Sequence, residues 1–149
     1  MSFDSNLLHQ NPMSASSLYE QAELYRNQGN LEDAIALYQK TIELDPNFSW
    51  AYHQLGDIFS QQNKWTEAIV VYYQAIALNP DFSWSYHNLG MALIQQKQWD
   101  EAILAYSKAI EINPNFCWSY YYLGEVFYQQ QNWQESVNAY FQAWKQNPD

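Results

Sequence analysis

The feature that most constrains this chain is a nine-residue phrase that returns at a fixed interval. Phe48-Ser49-Trp50-Ala51-Tyr52-His53-Gln54-Leu55-Gly56 comes first, Phe82-Ser83-Trp84-Ser85-Tyr86-His87-Asn88-Leu89-Gly90 follows, and Phe116-Cys117-Trp118-Ser119-Tyr120-Tyr121-Tyr122-Leu123-Gly124 comes last. Trp50, Trp84 and Trp118 therefore stand 34 residues apart. A period of that length is the mark of an array of two-helix units, each burying its apolar face against the next, and not of one undivided core.

Within each unit the apolar residues recur at steps of three and four, as in Tyr52, Leu55, Phe59 and then Trp65, Ala68, Ile69, Tyr72, Ile76. That spacing predicts two amphipathic helices per unit. The links Gln62-Asn63-Lys64, Gln96-Lys97-Gln98 and Gln130-Gln131-Asn132 are short and polar, which fits a tight antiparallel hairpin. Asp33, Glu67, Glu101 and Glu135 fall in the first turn of each second helix, where a negative charge favours the positive helix end. Pro46, Pro80, Pro114 and Pro148 end those helices. Small residues mark close approach: Ala22, Gly56, Gly90 and Gly124 in the first helices, Ala34, Ala68, Ala102 and Ser136 in the second. A helical Gly costs about 1 kcal/mol against Ala, so its recurrence implies a compensating packing gain, here expected from backbone contact.

The order aromatic, two residues, Leu-Gly, two residues, apolar residue, later a small residue, three residues, aromatic, then Pro runs through the chain. It reads Tyr52, Leu55-Gly56, Phe59, Ala68, Tyr72, Pro80, then Tyr86, Leu89-Gly90, Leu93, Ala102, Tyr106, Pro114, then Tyr120, Leu123-Gly124, Phe127, Ser136, Tyr140, Pro148. A more divergent first copy has Leu18, Gln21-Ala22, Tyr25, Ala34, Tyr38, Pro46. This pattern resembles the tetratricopeptide repeat (TPR) family over about nine tenths of the chain. The resemblance implies an all-α fold, a right-handed α-solenoid of antiparallel helix hairpins forming a TPR superhelix. Residues 1–14 would be a flexible or edge-covering leader in which Phe3, Leu7 and Leu8 fold back on the first repeat; repeats would span 15–48, 49–82, 83–116 and 117–149.

Composition narrows the partners. Sixteen acidic residues against six basic give a net charge of -10, which disfavours nucleic acid and anionic membrane surfaces and favours a basic partner. The single cysteine, Cys117, forms no intrachain disulfide and no multi-cysteine metal site, which suits a reducing cytoplasm. Met1 to Met13 contains no Lys or Arg and so does not read as a secretory signal. No apolar run approaches the roughly 18 residues a membrane span needs.

In the family the first helix of each hairpin lines a concave, ligand-binding groove. Trp50, Trp84 and Trp118 lie two residues before the core tyrosines, about 200° around the helix from them, so they point away from the core direction. By residue-by-residue match the other groove candidates are Tyr19, His53, His87 and Tyr121, then Gln54, Asn88 and Tyr122, then Glu23, Asp57, Met91 and Glu125. Trp65, Trp99 and Trp133 match a core aromatic and read as packing between hairpins. His53 and His87 sit on equivalent turns of successive hairpins, about 8 to 10 Å or more apart, too far to share one ion. They read as hydrogen-bonding groups; no metal or cofactor site and no active site is expected. A carboxylate clamp of the kind found in chaperone-binding TPR domains would need several basic residues, and the groove offers Arg26 alone. The Asn ladder of glycosyltransferase superhelices is represented only by Asn88, with Gln54 in place of another rung.

The last repeat carries Gln146 where Leu44, Leu78 and Ile112 stand, yet Val137, Tyr140 and Trp144 keep one face of its second helix apolar. Such a face calls for a cover, either a further part of a longer array or another copy. The functional expectation is a scaffold that binds a peptide or protein segment, basic or aromatic, in its concave groove. Two alternatives stand beside it: the substrate-recruiting arm of a larger bacterial glycosyltransferase or methyltransferase, and a module that self-assembles through its C-terminal end.

Overall fold

A computed structural model describes residues 13–147. Eight helices follow one another: α1 (Ala15–Asn27), α2 (Leu31–Leu44), α3 (Ser49–Gln61), α4 (Trp65–Leu78), α5 (Ser83–Gln95), α6 (Trp99–Ile112), α7 (Cys117–Gln129) and α8 (Trp133–Gln146). Consecutive helices pair as hairpins, α1 with α2 through α7 with α8, and each second helix packs on the first helix of the next hairpin. The result is a right-handed all-α solenoid. Direct contact between α3 and α5 and between α5 and α7 puts the first helices on the inside of the curve, where they line its concave face. The fold-back expected of Phe3, Leu7 and Leu8, and the stop expected of Pro148, lie outside the described residues.

Local chemistry sets the boundaries. Among the described residues only α1 has a side-chain N-cap, Ser14, whose Oγ accepts from the Ser17 amide at 3.1 Å. The hairpin turns close with a left-handed residue, Gly29 in the first and then Asn63, Lys97 and Gln131, the usual device for ending a helix. At the ends of α2, α4 and α6 the chain becomes extended at Asp45, Asn79 and Asn113. Asp45 Oδ1 and Asn113 Oδ1 accept from the amides of Asn47 and Asn115, holding the prolyl turn that leads into the next hairpin.

The core is a ladder of one motif. Tyr38, Tyr72 and Tyr106 are fully buried, each beside a buried alanine one turn earlier, Ala34, Ala68 and Ala102. The glycines serve these rings, and the gain is contact with a tyrosine side chain, not the backbone contact anticipated from sequence. A methyl group at Gly90 would stand 2.8 Å from Tyr106 Cζ, one at Gly124 would stand 2.9 Å from the Tyr140 ring, and one at Gly56 would collide with Tyr72. Removing each Cβ lets an aromatic ring lie flat on the neighbouring helix, and burying such a ring is worth roughly 1.5–3 kcal/mol, more than the Gly costs. In the fourth hairpin Ser136 replaces the alanine and donates to the Gly124 carbonyl at 2.9 Å, so its hydroxyl is buried without being orphaned.

Candidate functional site

The groove candidates divide into three groups once their surroundings are known. Trp50, Trp84 and Trp118 are exposed along one edge of the array. Trp50 nevertheless packs edge-on against Phe82 of the next hairpin at 4.5 Å between centroids, and Trp84 against Phe116 at 4.6 Å. Each is thus half joint and half surface. Trp118 has no such Phe among the described residues, and its ring neighbour is Tyr121 of its own helix at 6.4 Å.

The second group lies inside the joints, so the groove position expected for its members is corrected. His53 and His87 are buried; their Nδ1 atoms lie 3.0 Å from Ser85 Oγ and 2.9 Å from Ser119 Oγ of the following hairpin. Helical stacking of the next hairpin covers the position that the sequence pattern assigns to the groove. Burial lowers the pKa of both imidazoles, that of His87 to about 4, while Asp57, 3.6 Å from His53 Nε2, works in the opposite direction on His53. Gln54 is buried as well, accepting from Arg26 and donating to the Tyr19 hydroxyl at 3.3 Å. Arg26 also pairs with Glu23 at 3.1 Å, so this guanidinium is already engaged within the protein. Tyr19 lies half-buried, 5.0 Å from Phe48.

The third group lines the concave face, where two neighbouring cavities differ in kind. Between the second and third hairpins, Asp57, Ser60, Gln61, Trp65, Tyr72, Asn88 and Met91 surround about 320 Å³. Its floor is a closed polar network: Asp57 Oδ1 accepts from the Tyr72 hydroxyl at 2.7 Å and from Asn88 Nδ2 at 2.9 Å. One hairpin further on, Met91, Ile94, Gln95, Trp99, Tyr121, Tyr122, Glu125, Val126 and Gln129 surround about 360 Å³. Met91 stands where Asp57 stood and Tyr122 where Asn88 stood. Tyr122 stacks parallel to Tyr106 with centroids 6.0 Å apart. The Tyr106 hydroxyl, whose counterparts in the other hairpins donate to Glu23, Asp57 and Glu125, is buried without a partner among the described residues.

Sequence reasoning selected Met91, Tyr121, Tyr122 and Glu125 on this cavity and missed Ile94, Gln95, Trp99, Val126 and Gln129. The missed residues lie one or two turns further along the first helix, or at the start of the second. Trp99 in particular combines core packing with a wall of the groove. The signal that could have found them was the break at 91 and 94, where an acid and a serine of the preceding repeat become Met and Ile. Trp133 departs from the packing expected of it: it is exposed, 5.2 Å from Tyr128.

A solenoid of stacked hairpins with an open concave face is the architecture of a TPR protein-interaction domain. The family model for the cilia and flagella-associated protein 70 C-terminal domain, a TPR family, matches residues 5–147, and the chain belongs to that family. Solved structures agree on the fold. MamA superposes with a TM-score of 0.88 at 28% identity over 93% of this chain and 81% of its own. The first TPR of Spaghetti (RPAP3), bound to the HSP90 peptide SRMEEVD, gives 0.76 at 24% identity over 79% of this chain and 94% of that one. PilF of Pseudomonas aeruginosa gives 0.83 at 19% identity over 92% and 63%. Among the described residues no group of three or more His, Cys, Asp or Glu side chains is placed to hold a metal ion, and no helix is long and apolar enough to cross a membrane.

Proposed function

We propose that this chain holds a partner segment along its concave face, with an apolar side chain of that segment seated between the third and fourth hairpins. The observation that carries this reading is the cavity of about 360 Å³ walled by Met91, Ile94, Trp99, Tyr121 and Tyr122. Apolar and aromatic walls supply burial energy, and the preset helices lose little freedom on docking. Tyr122 stacks parallel to Tyr106, whose buried hydroxyl has no partner among the described residues, and a small shift of the Tyr122 ring would offer the docked segment a donor. Glu125 on the cavity wall and Asp57 one hairpin away favour a basic residue beside the apolar anchor. An acidic peptide such as the one bound to the RPAP3 repeat would meet these carboxylates, while Arg26 is already paired.

Selection from a random peptide phage library tests this. The parent should enrich sequences with a large apolar residue next to Lys or Arg, and the Met91→Asp variant should lose that enrichment. Enrichment of the same sequences by both proteins, or of acidic sequences by the parent, would remove the reading.

A further inference from the structure

The three joints inside the chain treat one carboxylate position in three ways. In the first, Glu23 accepts from the Tyr38 hydroxyl through Oε1 and from Arg26 Nη2 at 3.1 Å through Oε2, while Arg26 Nη1 reaches across the joint to Gln54 Oε1. In the third, the position is Met91, with no charge to match. The second joint keeps the acid without the cation. Asp57 Oδ1 takes the Tyr72 hydroxyl just as Glu23 Oε1 takes that of Tyr38, but Ser60 stands where Arg26 stood, and Oδ2 has only a 3.6 Å contact with His53 Nε2. Burial lowers the pKa of that imidazole, so it brings little charge at neutral pH. Among the described residues no Lys or Arg pairs with Asp57, whose side chain is 26% exposed and within reach of a ligand.

The place of the missing side chain is open space. Asp57, Ser60, Trp65, Tyr72 and Asn88 are among the walls of the cavity of about 320 Å³, a size that holds small ligands elsewhere. Asn88 stands where Gln54 stood; its Nδ2 donates to Asp57 at 2.9 Å, and its Oδ1 makes no hydrogen bond among the described residues. Trp65 replaces Leu31 and adds an aromatic wall. We infer that this cavity is a guanidinium site, filled, on the reading that a segment lies along the concave face, by an arginine of that segment. Its guanidinium bridges Asp57 Oδ2 and Asn88 Oδ1 as Arg26 bridges Glu23 and Gln54, and its plane lies against Trp65. Arginine fits better than lysine because its planar fork presents two N–H groups to two acceptors at once, whereas an ammonium is a point charge. A neutral side chain in the same place would bury the Asp57 carboxylate without a counter-ion, which is costly.

The test is NMR spectroscopy of the nitrogen-15-labelled full chain, titrated in parallel with the Nα-acetyl methylamides of arginine, lysine and citrulline. Arginine should shift the Trp65 indole and Asn88 side-chain amide signals saturably. Citrulline, with the same shape and no charge, should bind about tenfold or more weakly, and lysine about threefold more weakly. Asp57→Asn, which keeps an acceptor for Tyr72 and Asn88, should weaken arginine binding about tenfold. Ser60→Arg, which gives the joint its own guanidinium, should abolish it in a protein that still melts cooperatively. Equal binding of arginine and citrulline, or no response to Asp57→Asn and Ser60→Arg, overturns the assignment. So do shifts spread over exposed acids such as Glu67 and Glu101 in place of Trp65 and Asn88, which would show a general response to the net charge of -10. A phage-selected apolar peptide whose binding falls with Met91→Asp and ignores Ser60→Arg overturns it too, while leaving the concave-face reading intact. Arginine binding at Asp57 with no peptide selected does the reverse: the guanidinium site stands and the concave-face reading falls.

Discussion

The joint between the second and third hairpins and the joint between the third and fourth share a backbone, a Phe, a His–Ser pair and a Tyr on a Gly, yet their concave surfaces are opposites. In the former, Asp57 gathers the Tyr72 hydroxyl and the Asn88 amide into a closed network. In the latter, Met91 and Tyr122 replace the acid and the amide, the network is gone, and Tyr106 keeps a buried hydroxyl without a partner among the described residues. The comparison separates two duties within one repeat. Residues common to both joints hold the solenoid, and two substituted positions set the chemistry of the concave surface. An unsatisfied buried hydroxyl costs about 1–3 kcal/mol, so the apolar cavity is held at some expense of stability.

The largest expected effect strikes what the joints share. Gly90→Leu drives a side chain into the fully buried Tyr106 ring and should cost about 3 kcal/mol, read as a lowered urea midpoint. The same change at Gly124 should cost distinctly less, because Tyr140 is only partly buried and its ring can move away. Equal losses at the two sites would contradict the role given to ring confinement.

Interchanging the differing residue comes next. Asp57→Met should take the acceptor from the Asn88 amide and leave the Tyr72 hydroxyl only its 3.4 Å contact with Ser60 Oγ, destabilising by about 1–3 kcal/mol. Met91→Asp should give Tyr106 an acceptor and raise stability by about 1 kcal/mol while abolishing selection of apolar peptides. A Met91→Asp protein less stable than the parent would show that the two joints are not interchangeable at this position.

The histidines give the joints a pH response of calculable sign. His87 is held at a pKa of about 4 against an ordinary value of 6.5. Between those values the unfolded chain binds a proton that the folded chain refuses, so stability falls as pH drops from 6.5 towards 4. The loss is bounded by about 3 kcal/mol. Thermal melts at pH 7 and 5 should differ less in His87→Gln than in the parent; an unchanged difference would locate the titrating group elsewhere. The response of His53 should be shallower, because Asp57 opposes the effect of burial there.

The smallest effect lies in the hairpin turns. Lys97 and Gln131 adopt φ of 57° and 61°, a region costly for residues with a Cβ. Lys97→Gly should stabilise by up to about 1 kcal/mol and leave peptide selection untouched, which differential scanning calorimetry can resolve.

Much of the architecture was legible beforehand because it rests on local rules. The 34-residue phrase, the polar turns, the acids in the first turns and the terminating Pro46, Pro80 and Pro114 each act through neighbours in sequence, and these reappear at the helix boundaries. The groove was legible only in part. His53 and Gln54 occupy positions that a single hairpin leaves open; the following hairpin meets His53 through Ser85 and the preceding one meets Gln54 through Tyr19 and Arg26, outcomes governed by contact across roughly 30 residues of chain. Trp99 was read as core because the pattern places a core aromatic there, and it is also a wall of the cavity. The wrong assignment of the glycines has the same origin: sequence marked the need for space, and the space belongs to a tyrosine on the partner helix.

By itself the sequence determined a repeating helical hairpin, the count of its copies and the residues in which one copy departs from the next, because periodicity and turn chemistry are properties of a chain read in order. Stacking decided the rest. It carried the imidazoles of His53 and His87 out of water and seated Phe82 and Phe116 against Trp50 and Trp84, because each of those outcomes depends on which surface the next hairpin covers.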